Sequence, residues 1–116
     1  MAYITNTFQK VASLRPANTY EQQLYVVPAN NQVNALLRVC NQDTVARTFR
    51  VAHTTTGHGD NPADGDDWVC YDQQVGPGDP PFEISLHLGP AETVRVKASV
   101  ADKLSFVLEG MKKVLS

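Results

Sequence analysis

Apolar and polar residues alternate with a period of two along most of the chain, and Gly, Pro, Asn and Asp interrupt the alternation at short intervals. A strand points successive side chains to opposite faces, so this pattern predicts antiparallel strands with one face buried. Seven segments carry it: Leu24–Val27, Val33–Cys40, Arg47–His53, Trp68–Tyr71, Phe82–Leu88, Thr93–Ala98 and Leu104–Leu108. Pro28 lacks an N–H and closes the first of them. The intervening "VPANNQ", "NQDT", "VGPGDPP", "LGPAE" and "VADK" have turn chemistry. Seven short strands with short connections predict an all-β fold, a single antiparallel β-sandwich that is jelly-roll-like or Ig-like.

Residues 1–20 show no firm period and contain Pro16, and are read as an N-terminal arm that is extended or pairs with a neighbour. Residues 21–116 are read as the sandwich domain. The tail "EGMKKVLS" is a place for a closing helical turn, although Gly110 and its short length count against one.

The stretch "RVCNQDTVARTFRVAH", residues 38–53, reads as a β-hairpin. With the turn centred on Asp43, Leu37 faces Phe49, Ala35 faces Val51 and Val39 faces Arg47, leaving one face mainly apolar. A slip of one residue sets Arg38 against Arg47 and mixes the faces. The favoured register places His53 opposite Val33, about 23 Å along the strand from Cys40 at about 3.3 Å per residue. Nucleophile and base must approach to about 3 Å, so the two form no dyad within a hairpin.

Other polar clusters offer candidate chemistry. The longest loop, Thr54–Asp67, holds Asp60, Asp64, Asp66 and Asp67, oxygen ligands of the kind calcium prefers. Counted from Asp60, Pro62 takes the third position and Tyr71 the twelfth, where an EF-hand needs a bidentate Glu, so the cluster reads as a solvated acidic loop, with an adventitious or structural cation as the alternative. His53, His58 and His87 have no recurring zinc spacing. No glycine-rich phosphate loop or nucleophile elbow is present. No catalytic, cofactor-binding or metal-ligating residues are therefore expected, and the chain reads as a non-enzyme. Trp68, beside Val69 and Cys70, is expected to fill core space. Alternatively, Trp68, Tyr71 and the acidic loop form the stacking face of a carbohydrate-binding sandwich.

Composition narrows the classes further. With 116 residues, 42% hydrophobic and 19% charged, and a formal charge of −2, the chain suits one soluble domain. Neither a nucleic-acid footprint nor a disordered chain is suggested. Arg95, Lys97, Lys103, Lys112 and Lys113 gather late without interleaved aromatics and read as solvated strand faces. The first residues lack the basic start and apolar run of a signal peptide, and no eighteen apolar residues run together, so synthesis in a cytosol without membrane insertion is expected. Cys40 and Cys70 read as free thiols, with a bridge possible only if their strands lie side by side.

Taken in order, "LYVVPANNQ", "RVCN", "ARTFRVA", "WVCYD", "FEISLHLGPAETVRVKAS" and "LSFVLEG" resemble small all-β virion proteins of tailed bacteriophages, including head-decoration or cement proteins. The resemblance covers about residues 24–110; the Thr54–Asp67 loop and "MKKVLS" depart from it. It implies a non-enzymatic homo-oligomer, dimer or trimer, made in the host cytoplasm and carried on the capsid surface. Its implied partner is the major capsid protein or another virion protein, and a tail, neck or baseplate position is the alternative.

Overall fold

The computed structural model describes residues 6–55, 63 and 65–114. These form eight strands: β1 (Asn6–Leu14), β2 (Gln22–Val26), β3 (Asn31–Asn41), β4 (Arg47–Thr54), β5 (Trp68–Val75), β6 (Phe82–Leu88), β7 (Thr93–Ala98) and β8 (Leu104–Val114). One turn of 3-10 helix, Gly65–Asp67, precedes β5. All seven predicted strands are present. The eighth, β1, lies in the segment read as an arm and pairs with β8 of the same chain. In place of a closing helical turn, β8 continues as strand to Val114, held between β1 and β3.

Two four-stranded antiparallel sheets result, ordered β1-β8-β3-β6 and β2-β7-β4-β5. Four of the pairings join strands symmetric about the middle of the chain: β1 with β8, β2 with β7, β3 with β6 and β4 with β5. The chain is thus a doubled ribbon, rolled so that alternate strand pairs fall in opposite sheets. This is the double Greek-key wrap of a jelly roll, and it decides between the two sandwich types expected.

The core lies between the sheets. Val33, Leu37, Val39, Leu104, Phe106 and Leu108 point into it from the first sheet, and Phe49, Val51, Val94, Val96 and Ala98 from the second; all are buried. Phe49 reaches across the layer and meets Phe106 and Phe82 edge-on, with ring centroids 5.9 and 5.4 Å away. Such pairs add about 0.5–1.5 kcal/mol each beyond burial. Gly110 allows a close approach between β8 and β3: a Cβ there would lie 2.5 Å from the Asn34 carbonyl oxygen and 2.8 Å from Ala35 Cα.

The expected β3–β4 hairpin does not form. β3 pairs with β6 and β8, β4 with β5 and β7, and residues 42–46 carry the chain from one sheet to the other. Leu37, Val39, Phe49 and Val51 are all buried as the alternation requires, but they face one another across the core. The corner is held by Asn41, whose amide donates to the carbonyls of Val45 and Val75 at 2.9 Å each and whose Oδ1 accepts from the Asp43 N–H. Asp43 in turn accepts from the Thr44 N–H and from Arg47 Nε. The polar residues read as a hairpin turn instead build a crossing between layers.

Candidate binding site

The outward face of the second sheet carries a cluster of polar and aromatic side chains, Arg50, Trp68, Tyr71 and Asp72. It is built around a β-bulge. Along the β4–β5 ladder Phe49 pairs with Gln73 and Val51 with Cys70, so Tyr71 and Asp72 together oppose the single residue Arg50. Asp72 takes a left-handed backbone, φ 53°, which short polar side chains tolerate better than most. The bulge brings both residues against the guanidinium. Arg50 Nε donates to Asp72 Oδ1 at 2.7 Å and its terminal nitrogen to Oδ2 at 3.2 Å. The same guanidinium carbon lies 3.8 Å from the Tyr71 ring centroid and 6.0 Å from that of Trp68. Trp68 and Tyr71 meet edge-on at 5.8 Å.

The ion pair and the ring stack fix the arginine from two sides. The arginine hydrogen bonds hold the Asp72 carboxyl below its usual range, and the same bonds raise the Arg50 pKa. Tyr71 is 59% exposed, leaving much of its surface open. Beside this cluster lies an open groove of about 320 Å³ lined by Thr19, Thr48, Arg50, Asp72, Lys97 and Ser99, with Phe49 and Ala98 at its floor. Thr48 N–H donates to Ser99 Oγ there. Trp68 was expected in the core; it pairs with Ala52 on the outward face and stands outside the core cluster.

Next to the groove the same face is closed. Ala52, Thr54, Thr93 and Arg95 occupy outward positions, yet each is buried. Arg95 was read as solvated; its Nε instead donates to Glu21 Oε2, and that oxygen also accepts the Ala63 N–H. Glu21 thereby ties a residue of the long loop to the sheet. Of the acidic loop, Asp66 and Asp67 lie on the 3-10 turn, and Asp60 and Asp64 lie outside the described residues.

The other candidates are dispersed. His53 Nε2 lies 2.8 Å from Glu92 Oε1, which also accepts the Gly89 N–H at 2.6 Å, at the end of the sandwich where β6 turns into β7. Burial penalises the Glu92 charge, but these two hydrogen bonds outweigh it and hold the carboxyl below its ordinary range. His87 meets Asn34 on the outward face of the first sheet, and His58 lies outside the described residues. Cys40 and Cys70 are free and sit in different sheets; burial pushes the Cys70 thiol up. Cys40 pairs with Ser105 and His53 with Val94, so they also belong to separate sheets. Among the described residues no three His, Cys, Asp or Glu side chains converge as a metal site.

No family model matches the chain, and no curated protein is significantly similar to it.

Sequence reasoning named Tyr71 and Trp68 but missed Arg50, which meets both rings, with Asp72 bonded to it and Lys97 opposite it on β7. The signal was faint: "YDQQ" breaks strict alternation after Tyr71, as a bulge does, but nothing local says which strand it opposes.

Proposed function

We propose that this chain is a structural protein of a bacteriophage particle, a decoration or cement protein that sits on the assembled capsid and joins neighbouring subunits. The observation that carries the reading is the jelly-roll wrap, an architecture used by viral capsid and lectin domains. The order of motifs between residues 24 and 110 supports the same choice. Fold alone leaves many functions open, so the surface matters too. The outward face of the first sheet offers an uninterrupted four-strand surface with half-buried Leu36, Cys40 and Val107 and exposed Met111. Charged Arg38, Glu83 and Glu109 cross it, with Arg38 Nη1 3.0 Å from Glu109. A half-apolar face with a charged register is suited to a partner of matching polarity.

The mechanism is mass action. A protein that binds the assembled lattice and not the free subunit stabilises the lattice by the free energy of its binding, with no chemical step. Symmetric partners favour a homo-oligomer, dimer or trimer. Quantitative mass spectrometry of purified particles tests the reading: hundreds of copies per particle are expected, and particles lacking the chain should release their genome at lower temperature. A handful of copies would place it in a tail, neck or baseplate, and none would end the proposal.

A further inference from the structure

We infer that the groove beside the β5 bulge is a binding site for a carboxylated saccharide, a sugar bearing a uronic or sialic acid group. The inference stands independently of the capsid reading.

Three observations lie side by side on this face, with Tyr71 standing next to the groove against Arg50 of its lining. The first is an exposed aromatic whose orientation is fixed: Tyr71 lies against the Arg50 guanidinium on one side and meets Trp68 edge-on. A pre-set ring of this kind gives the apolar face of a pyranose a surface to stack on without ordering cost. The second is the hydrogen-bonding character of the groove. Thr19, Thr48 and Ser99 contribute hydroxyls, Asp72 an acceptor and Arg50 and Lys97 donors, all around one open volume of about 320 Å³. That size lies at the low end of small-molecule sites, which run from about 300 to 1,000 Å³. An open groove of mixed polar and apolar lining, with an exposed aromatic at its side, suits a ligand with many hydroxyls and one apolar face. The third is charge. Asp72 is engaged in two hydrogen bonds with Arg50, while Lys97 has no carboxylate within ion-pairing distance among the described residues. The lining therefore holds two cations against one anion, one positive charge in excess, with Lys97 also acting on the Asp72 carboxyl at longer range. That excess selects a carboxylate-bearing sugar over a neutral one.

The bulge is what unites these groups. A regular strand would send Tyr71 and Asp72 to opposite faces; the extra residue sets both against Arg50. Bulges also blunt edge strands, and β5 is an edge. A purely protective bulge would bind no sugar, and the experiment separates the two roles.

The full chain, labelled with ¹⁵N, is titrated with a galacturonic acid oligosaccharide, a sialyl-lactose, neutral lactose and inorganic phosphate. The expected result is movement of the Thr48, Arg50, Asp72, Lys97 and Ser99 amides with at least one acidic sugar and weaker response to lactose. Tyr71→Ala, at an exposed position, should keep the spectrum of a folded protein and weaken acidic-sugar binding about tenfold. Lys97→Gln should weaken it by up to about fivefold and remove the preference over lactose. Equal response to lactose overturns the carboxylate assignment, and response to phosphate alone overturns the saccharide. An unchanged groove with every probe, or binding indifferent to both substitutions, leaves the bulge as edge protection only and overturns the site.

Discussion

The two outward faces of this sandwich start from similar sequence and end in opposite environments. On β3 the outward residues Asn34, Leu36, Arg38 and Cys40 are exposed or half-exposed. On β7 every residue from Thr93 to Val96 is buried, outward-pointing Thr93 and Arg95 included. Both faces carry an arginine–glutamate pair, Arg38–Glu109 on the first sheet and Arg95–Glu21 on the second. The arginine of the first has 43% of its side chain in water, that of the second 8%. The difference teaches what such a pair does. In water it contributes little, because the gain in charge attraction is close to the cost of holding two long side chains. Buried, it fixes structure, since either charge left alone is costly.

The largest effect is expected from breaking the buried pair. Glu21→Ala strands the Arg95 charge and should lower stability by about 3–5 kcal/mol in urea unfolding. Replacing both residues together, with Glu21→Leu and Arg95→Met, should restore most of that loss. A single substitution as harmless as the double one would remove the contrast between the two faces.

A substitution inside the open sheet ranks next. Gly110→Ala pushes a methyl group into the β3 backbone, and strain of about 1–3 kcal/mol is expected, read as a lower urea midpoint. It should disturb β1 and the end of β8 while leaving β4–β5 amide shifts in place, which shows whether the sheets respond separately. By contrast, Glu109→Ala removes the exposed pair and should cost less than about 1 kcal/mol, with the small effect fading further in high salt. A loss matching that of Glu21→Ala would contradict the reading of the first sheet.

Acid gives the gentlest test. The carboxyls of Asp72 and Glu92, both attached to the second sheet, sit below their ordinary values of 3.8 and 4.5. The unfolded chain then binds more protons than the folded one in acid, so their contribution is present above those values and lost as pH falls through the lower folded ones. Amide protection factors, which take out the pH dependence of intrinsic exchange, should fall at β4–β5 and at the Gly89–Glu92 turn below about pH 4 before the β3–β8 ladder opens. Asp72→Asn should flatten that response at the bulge.

Much of this fold was legible residue by residue. The β6 and β7 boundaries follow directly from alternation, because Phe82–Leu88 and Thr93–Ala98 carry unbroken period-two patterns between turn residues. β1 escaped because its ladder shifts between Lys10 and Ala12, and a bulge resets the alternation partway along. The extension of β8 escaped because Gly110, Lys112 and Lys113 carry no apolar stripe; pairing with strands on both sides holds them extended.

Arg50 and Asp72 escaped for a different reason. They meet Tyr71 only because β4 and β5 are neighbours, and pairing is a long-range property.

What the sequence alone determined was which side of the cleanly alternating strands seeks the core. Leu37, Val39, Phe49 and Val51 are buried in the structure as their alternation demands, since the pleat turns a local pattern into a face. Which strand lies beside which was decided only in three dimensions. An apolar face is satisfied equally by a hairpin partner on its own sheet or by a sheet opposite, and the rolled ribbon chose the second for β3 and β4. The buried Arg95–Glu21 pair and the bulge at Tyr71 are likewise fixed by long-range partners and not by the local pattern.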